Sequence, residues 1–380
     1  MGPLAGTKIV EMAGIGPGPF CAMLLADMGA DVIRIERPGE VDRGVNIPTR
    51  FDLLNRGKRS IALDLKAPEG RAAALRLIAA ADGLVEGFRP GVMEALGLGP
   101  EVCLAANPRL AYGRMTGWGQ DGPLARSAGH DLTYIALAGA LDAIGRRGAP
   151  PTMPQNLLGD FGGGALYLAM GLLAAMLQAR SGGSGQVVDA AIVDGTASLM
   201  TMLLGLRQMG GWTGGRGENI LDGGAPFYDV YETLDGRYVA LAPLEARFYA
   251  IFIDKVGLAG EPLPSQSDKA GWTVLRERFT ALFRTRTRAE WCALLEGTDA
   301  CFGPVLDLDE AAVHPHMAAR GVFVTLDGVT QPAPAPRFGA TPSAIAGSPP
   351  VRGADGTAIL SDWGFAAGEI ADLRGAGVLG

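Results

Sequence analysis

Short β-like runs alternate with helical runs through the first third of this 380-residue chain. The run 68–81 carries apolar residues three and four positions apart, which predicts a helix, and a second helix is predicted over 20–28. Strands are predicted over 8–12, 31–36, 60–65, 83–88 and 110–115. Strands that alternate with helices of this length are typical of a parallel sheet with crossover helices. We therefore predict an α/β fold.

The pattern changes after the first third of the chain, where long apolar helices and an antiparallel hairpin replace the alternation. The predicted elements are apolar helices over 130–144, 164–178 and 196–209, a strand over 186–192, a β-hairpin over 225–244, and helices over 246–256 and 272–283. The hairpin turn is Leu234-Asp235-Gly236-Arg237. This second pattern predicts a smaller α+β domain.

The predicted domain organisation has five parts. They are a large domain over 1–195, a long connecting helix over 196–224, the small domain over 225–320, a linker rich in Pro, Gly, Ala and Ser over 321–350, and a C-terminal segment over 351–380. We expect an amphipathic helix over 365–373 to return this last segment to the large domain.

Composition excludes several classes of protein. The net charge is −7 and no long cluster of Lys and Arg occurs, so we expect no nucleic-acid partner. The four cysteines have no metal-ligand spacing, so we expect no metal site. The longest apolar run, 165–177, is too short to span a bilayer, and the N-terminus lacks a signal-peptide core. A cytoplasmic protein without a membrane partner is therefore expected.

A glycine-rich loop follows the first predicted strand and precedes a helix. Gly14, Gly16 and Gly18 approach the dinucleotide-binding fingerprint, but their spacing is G-x-G-x-G, and Pro17 and Pro19 interrupt it. The sequence favours a tight strand-to-helix turn facing some ligand over a nicotinamide site.

Basic residues follow three of the predicted strands. Arg37, Lys66 and Arg89 each come after a strand, and the carboxyl ends of parallel strands line the ligand crevice of such a sheet. Three cations around one crevice predict phosphate binding, although any one of them alone is better explained as ordinary surface charge. Further basic residues cluster near the same strand ends: Arg34, Arg56, Lys58 and Arg59.

Three residues are candidates for proton transfer. His130 opens an apolar helix, whose free N–H groups suit a developing oxyanion, and a capping or packing role is the alternative. Asp160 precedes a Gly-rich turn, where it is either a helix cap or a crowded carboxylate of raised pKa that acts as a base. Glu245 closes the hairpin. Taken alone, it is best explained as a glutamate in the first turn of a helix, where the helix dipole favours it.

Several long segments together resemble one known family in their order. They are GTKIVEMAGIGPGPFCAMLLADMGADVIRIERPG, ALDLK, VEGFRPGVMEALGLG, RMTGWGQDGP, AGHDLTYIALAGAL, NLLGDFGGG, GQVVDAAIVDG and DGGAPFYDVYET. The resemblance is to the family III CoA-transferase superfamily, to about Phe338, and most of all to its α-methylacyl-CoA racemase branch. It implies an interlocked homodimer in which each chain has a large Rossmann-like domain with a parallel sheet and a smaller α+β domain. The active site then lies between the large domain of one chain and the small domain of the other.

The same resemblance assigns the site residue by residue. Catalysis falls on His130, Asp160 and Glu245, with support from Asp131, Asn156 and Gly159. The residues similar to the CoA-binding region are Arg37, Leu63, Leu65, Lys66 and Arg89. The chain departs from some relatives at Ala95, where they place an arginine near the CoA phosphates.

The implied activity is interconversion of (2R)- and (2S)-2-methylacyl-CoA thioesters through an enolate. His130 with Glu245 serves one face and Asp160 the other, and N–H groups at the His130 helix start and the turn at Asp160 hold the enolate oxygen. No metal or redox cofactor is expected, because the thioester itself acidifies the α-proton. CoA is part of the substrate.

Two alternatives stay open: a CoA-transferase with Asp160 as nucleophile, and a non-catalytic acyl-CoA-binding protein. Met200, Met202 and Met209 either contact the acyl chain or are ordinary core residues.

Overall fold

The computed structural model describes residues 2–39 and 46–380. Its internal contacts divide the chain into two compact units. Unit 1 consists of Met1–Ala138, Gln155–Leu199 and Gly321–Gly380, and unit 2 consists of Gly139–Pro154 and Met200–Arg320.

The strands and helices occur in the following order along the chain. The strands are β1 (Lys8–Met12), β2 (Asp31–Glu36), β3 (Arg59–Ala62), β4 (Gly83–Glu86), β5 (Ala111–Thr116), β6 (Gln186–Ala191), β7 (Asp229–Glu232), β8 (Tyr238–Leu241), β9 (Phe302–Pro304), β10 (Phe323–Leu326) and β11 (Val329–Pro332). The helices are α1 (Pro17–Asp27), α2 (Pro68–Ala79), α3 (Val92–Ala95), α4 (Pro100–Ala106), α5 (Asp131–Leu137), α6 (Leu166–Arg180), α7 (Ile192–Leu199), α8 (Thr201–Gln208), α9 (Ala246–Lys255), α10 (Trp272–Phe283), α11 (Arg288–Leu295), α12 (Leu308–Val313), α13 (Pro315–Ala319), α14 (Gly356–Asp362) and α15 (Ala367–Gly375).

Unit 1 is built on a six-stranded sheet of order β3-β2-β1-β4-β5-β6. Every neighbouring pair in this sheet is parallel, as the strand–helix alternation predicts. The chain crosses from one half of the sheet to the other on passing from β3 to β4, so the strand order reverses between the neighbouring strands β1 and β4. Ligands of such sheets bind outside the carboxyl ends of the strands at this switch point.

Helices cover both faces of the sheet, because alternate strand residues point to opposite sides. One apolar cluster joins the sheet to α2, α4, α14 and α15, and the second joins it to α1 and α6. Pro17 and Pro68 begin α1 and α2, where a missing backbone N–H costs nothing because the first helical N–H groups have no partner within the helix. The helix predicted over 20–28 therefore begins earlier than expected, at Pro17.

Unit 2 contains a three-stranded sheet of order β7-β8-β9, in which both neighbouring pairs are antiparallel. The hairpin predicted over 225–244 is confirmed, and Gly236 adopts φ +70° in its turn. An aromatic core packs behind the sheet, where Phe252 contacts the rings of Phe279 and Phe283, and Trp291 contacts Phe283. The predicted α9 and α10 are present within one residue of their expected bounds.

Two predicted helices are wrong in extent. The helix expected over 130–144 ends at Leu137, because Gly139 adopts φ +82° and the chain passes into unit 2. The helix expected over 196–209 is two helices, α7 and α8, divided at Met200.

Residues 139–154 belong to unit 2, although the predicted large domain runs unbroken to 195. The Arg216 guanidinium accounts for this, since it donates to the backbone oxygens of Asp142 and Ala149. Such long-range contacts leave no mark on local sequence pattern. The predicted linker 321–350 likewise contains the antiparallel hairpin β10–β11.

The apolar run 165–177 lies inside a continuous helical stretch, Gln155–Arg180, which includes a 3-10 turn, a π-helix over Leu158–Ala165 and then α6. This stretch is long and apolar enough to cross a bilayer by length and composition alone, a test that core helices of soluble proteins also pass. Leu168, Leu172 and Met176 of α6 are buried against the sheet.

Candidate active site

A cavity of about 1130 Å³ opens at the carboxyl ends of the sheet strands in unit 1. Its walls come from the segments that follow β1, β4 and β5, from the start of α5, and from Pro349, Pro350 and Arg352. This position is the switch point of the sheet, as expected for a ligand site in this topology.

The glycine-rich loop forms one wall of the cavity. Gly16 adopts φ +68° immediately before α1, and a Cβ built there would lie 3.1 Å from Oδ2 of Asp160. A side chain at this position would therefore be strained and would press on the Asp160 carboxylate. The loop has the tight strand-to-helix geometry that the sequence predicts.

A buried charge network lies beneath this loop and holds both of its ends. Glu11 on β1 binds Nη1 of Arg34 at 2.5 Å and Nζ of Lys58 at 2.6 Å, and all three side chains are almost completely buried. Arg34 also donates to the carbonyl oxygen of Gly14 at 3.2 Å, and Lys58 donates to that of Pro19 at 3.0 Å. The network thereby fixes the loop that faces Asp160.

These contacts correct part of the predicted phosphate cluster. Arg34 and Lys58 are bound to Glu11, Arg56 is bound to Asp27, and Arg59 is bound to Asp31. Their charges are committed to carboxylates inside unit 1, which sequence position alone does not reveal.

Arg89 lies on the cavity wall and is exposed. Arg37 directly follows β2, and Lys66 comes four residues after the end of β3. Both are exposed, and neither belongs to the wall formed by the described residues. Leu63 is fully buried, its N–H donates to the carbonyl oxygen of Glu36, and it pairs with Leu379, so it exposes no atom to a ligand. Leu65 is half-buried against the core.

Asp160 lies in the π-helix that precedes α6, an irregularity often found at functional sites. The buried carboxylate of Asp131 accepts a hydrogen bond from the backbone N–H of Asp160 at 2.6 Å. A Cβ at Gly159 would lie 2.3 Å from Oδ1 of Asp131, so only glycine fits between the two aspartates. Asp131 and Gly159 thus position Asp160, whose N–H is unavailable to the enolate oxygen that the sequence assigned to it.

The environment of Asp160 raises its pKa to about 6. Burial is the largest cause, and the nearby charge of Asp131 adds to it. A hydrogen bond with the Asn156 side chain and the proximity of His130 act in the opposite direction. Burial also raises the pKa of Asp131. Asp160 is therefore a crowded carboxylate of the kind that the sequence predicts.

His130 lies at the N-cap of α5 with an extended backbone and an exposed side chain. Its N–H donates to Oγ1 of Thr133, which in turn donates to the carbonyl oxygen of His130. The cap is thus made by Thr133, and the imidazole is left on the cavity wall with Asp160.

An aromatic pair accompanies these two residues. Tyr134 and Trp118 pack edge to face with ring centroids 4.7 Å apart, and both line the cavity. Burial and the Asp160 charge raise the pKa of Tyr134, whereas Arg89 lowers it. Sequence reasoning missed this pair, although Tyr134 follows His130 by one helical turn and Trp118 lies in the segment RMTGWGQDGP.

Glu245 belongs to unit 2, where it is exposed and immediately precedes α9. His130, Asp160, Asp131, Asn156 and Gly159 all belong to unit 1. Unit 1 by itself therefore brings together a histidine and an aspartate of raised pKa beside one cavity.

Comparison with known proteins gives consistent results. The model of CoA-transferase family III matches residues 4–356. The chain is 46% identical over 374 residues to α-methylacyl-CoA racemase of Mus musculus, covering 98% of this chain and 96% of that protein. It is 44% identical over 375 residues to α-methylacyl-CoA racemase of Homo sapiens, with the same two coverages.

The fold is similar to that of a solved CaiB/BaiF family protein from Brucella suis. The TM-score is 0.80 and the sequence identity 28%, covering 96% of this chain and all of that one.

Proposed function

The chain belongs to CoA-transferase family III, and from this premise we propose that it is an α-methylacyl-CoA racemase, which interconverts the (2R) and (2S) epimers of 2-methylacyl-CoA thioesters. The observation that carries the proposal is the pairing of His130 with Asp160 on one cavity wall, in a chain close to two proteins of that name.

The reaction needs one proton removed from C2 and one returned on the opposite face. The thioester acidifies this proton, and two acid/base groups on opposite sides of the carbon complete the exchange. Asp160 serves one face and His130, with Glu245, serves the other. A group with a pKa of about 6 is ionised at neutral pH yet accepts a proton readily, which suits Asp160 to this task.

The intermediate is an enolate, whose oxygen requires hydrogen-bond donors. The N-terminal turn of α5 begins at His130 and supplies backbone N–H groups that have no acceptor within the helix. The CoA portion binds away from the reacting carbon, and its binding energy positions C2 between the two groups.

We further propose that two chains form an interlocked homodimer. Because Glu245 belongs to unit 2 and His130 to unit 1, this arrangement lets the small domain of one chain complete the site of the other.

The enzyme works in the cytoplasm, without a metal, redox cofactor, membrane or nucleic-acid partner. Met200, Met202 and Met209 offer a deformable apolar surface to acyl chains.

A CoA-transferase is the second candidate, since the family bears that name and Asp160 is the kind of carboxylate that forms an aspartyl-CoA intermediate. Asp160 fits both reactions. Racemisation needs a second acid/base group, a role that the neighbouring His130 can fill, whereas CoA transfer does not require a histidine.

The test is incubation of one 2-methylacyl-CoA epimer with enzyme in deuterated water, without an acceptor acid. A racemase incorporates deuterium at C2 and brings the epimers towards equal amounts. Absence of C2 deuterium, together with hydroxylamine trapping of a modified Asp160 when an acceptor acid is present, would instead establish the transferase.

A further inference from the structure

We infer that Arg352 binds a phosphate of the CoA nucleotide and supplies part of the charge that Ala95 does not. The inference rests on the proposed CoA-thioester substrate, although it applies equally to racemase and transferase. Arg352 lies in the C-terminal segment, which sequence reasoning did not connect with the ligand.

The segment 347–355, which we call the C-terminal strap, is tied to unit 1 on both sides of Arg352. The N–H of Gly57 donates to the carbonyl oxygen of Gly347 at 2.8 Å. The N–H of Gly353 donates to Oγ of Ser60 at 2.9 Å. Pro349 and Pro350 line the cavity between these anchors and restrict the backbone. The strap therefore holds Arg352 in a defined place.

Arg352 lies on the cavity wall with a half-buried side chain. It donates to the carbonyl oxygen of Gly39, and its Nε lies 3.9 Å from Oε1 of Glu36. Glu36 also accepts from Oγ of Ser60 at 2.6 Å and lies 3.4 Å from Nε of Arg34. Glu36 thus divides its charge among several partners, and a guanidinium with five N–H donors retains donors for a phosphate.

The arginines on the cavity wall differ in whether a carboxylate already binds them. Among residues 2–39 and 46–380, three arginines line the cavity: Arg34, Arg89 and Arg352. Arg34 is buried against Glu11, whereas Arg89 forms no ion pair with any residue that the structure describes. Arg89 and Arg352 are therefore the wall cations available to the diphosphate or the ribose phosphate of CoA, and Arg is well shaped for either group.

The test is calorimetric titration of CoA, 3′-dephospho-CoA and pantetheine into wild type, Arg352→Gln and Arg352→Lys. Arg374→Gln is the matched control, because it removes the same charge from α15, away from the cavity wall. We expect Arg352→Gln to weaken CoA binding about tenfold or more, Arg352→Lys to weaken it less, and the control to leave it unchanged. The KM for acyl-CoA should rise by the same factor, with kcat nearly constant.

The three ligands separate the outcomes. Weaker binding of CoA alone assigns the ribose phosphate, and weaker binding of CoA and dephospho-CoA assigns the diphosphate. Equal affinity of wild type and Arg352→Gln for CoA, or an equal loss with pantetheine, would overturn the inference. Failure of wild type to bind CoA would instead overturn the proposed function.

Chemical modification provides a readout that needs no variant. Phenylglyoxal treatment of wild type, followed by peptide mass analysis, should show CoA protecting Arg352 but not Arg374. Equal modification of Arg352 with and without CoA would contradict the assignment.

Discussion

Asp160 illustrates how neighbouring residues set the chemistry of one side chain. Its pKa rises to about 6 because it is buried and because the Asp131 carboxylate lies close by. The base form is therefore lost as the pH falls through about 6. In either direction, a racemase must begin with one of its two acid/base groups protonated and the other not. The pH dependence of kcat/KM is therefore the same bell-shaped curve for both epimers. The acid limb of kcat/KM should lie near pH 6.

Replacing Asp131 by Asn should move this acid limb to lower pH. The asparagine oxygen can still accept the Asp160 N–H, whereas the charge that raises the pKa of Asp160 is gone. The measurement is the pH dependence of kcat/KM for both proteins.

Asp372→Asn is the control, because it removes one negative charge from an exposed position on α15. Its profile should match that of wild type. An unchanged acid limb in Asp131→Asn, or a shift to higher pH, would show that Asp131 does not tune Asp160.

At the scale of elements, the turn between β1 and α1 depends on Gly16, which belongs to the glycine-rich loop seen in the sequence and has a backbone conformation that disfavours a side chain. Gly16→Ala should lose at least tenfold in turnover and about 1–3 kcal/mol of stability, because φ +68° is strained and the new Cβ crowds Asp160. Steady-state kinetics and urea unfolding measure the two effects.

Gly6→Ala separates strain from contact. Gly6 adopts φ +81° with nothing within 4 Å of an added Cβ, so this variant should lose stability and keep its turnover. A similar loss of turnover in both variants would contradict the proposed contact with Asp160.

The buried network beneath the loop should dominate the stability of this region. Lys58→Met leaves Glu11 with less compensation in a fully buried site and should cost about 3–5 kcal/mol. Arg59→Met breaks more exposed pairs with Asp31 and Asp362 and should cost less than about 1 kcal/mol. Urea unfolding compares them, and equal losses would contradict the assigned difference.

Local pattern predicted the elements of unit 1 because strand and helix periodicities differ and Gly and Pro mark the turns. Local pattern gave wrong predictions where contacts between residues distant in sequence determine the structure. Arg34 and Lys58 have the sequence position of phosphate ligands, yet Glu11 binds both. Gly139 ends α5 early, and Arg216 holds residues 139–154 in unit 2.

At the scale of the whole molecule, the resemblance identified residues that spacing alone left ambiguous. Local pattern alone favours helix caps for His130 and Asp160, whereas the family pattern assigns both to the site, and the structure places both on one cavity. Arg352 was missed because it is distant in sequence from every motif, and only the strap brings it to the cavity wall.

The interlocked dimer predicts complementation between inactive chains. A dimer of one Asp160→Asn chain and one Glu245→Ala chain has one site with both defects and one intact site. Random co-expression makes about half of the dimers mixed, so about a quarter of wild-type activity should return. Mixing the two purified proteins should restore none, because interlocked chains cannot exchange without unfolding. Activity that returns on simple mixing, or never returns on co-expression, would contradict this arrangement.

The central claim is that Asp160 and His130 act on opposite faces of one carbon. It is tested most directly by incubating Asp160→Asn and His130→Ala separately with each pure 2-methylacyl-CoA epimer in deuterated water. Each variant should lose about 10²–10⁴-fold in epimerisation. Each should still exchange the C2 proton of one epimer with retention, and the two variants should act on opposite epimers. Exchange of the same epimer by both variants, or epimerisation at the wild-type rate in either, would contradict the account.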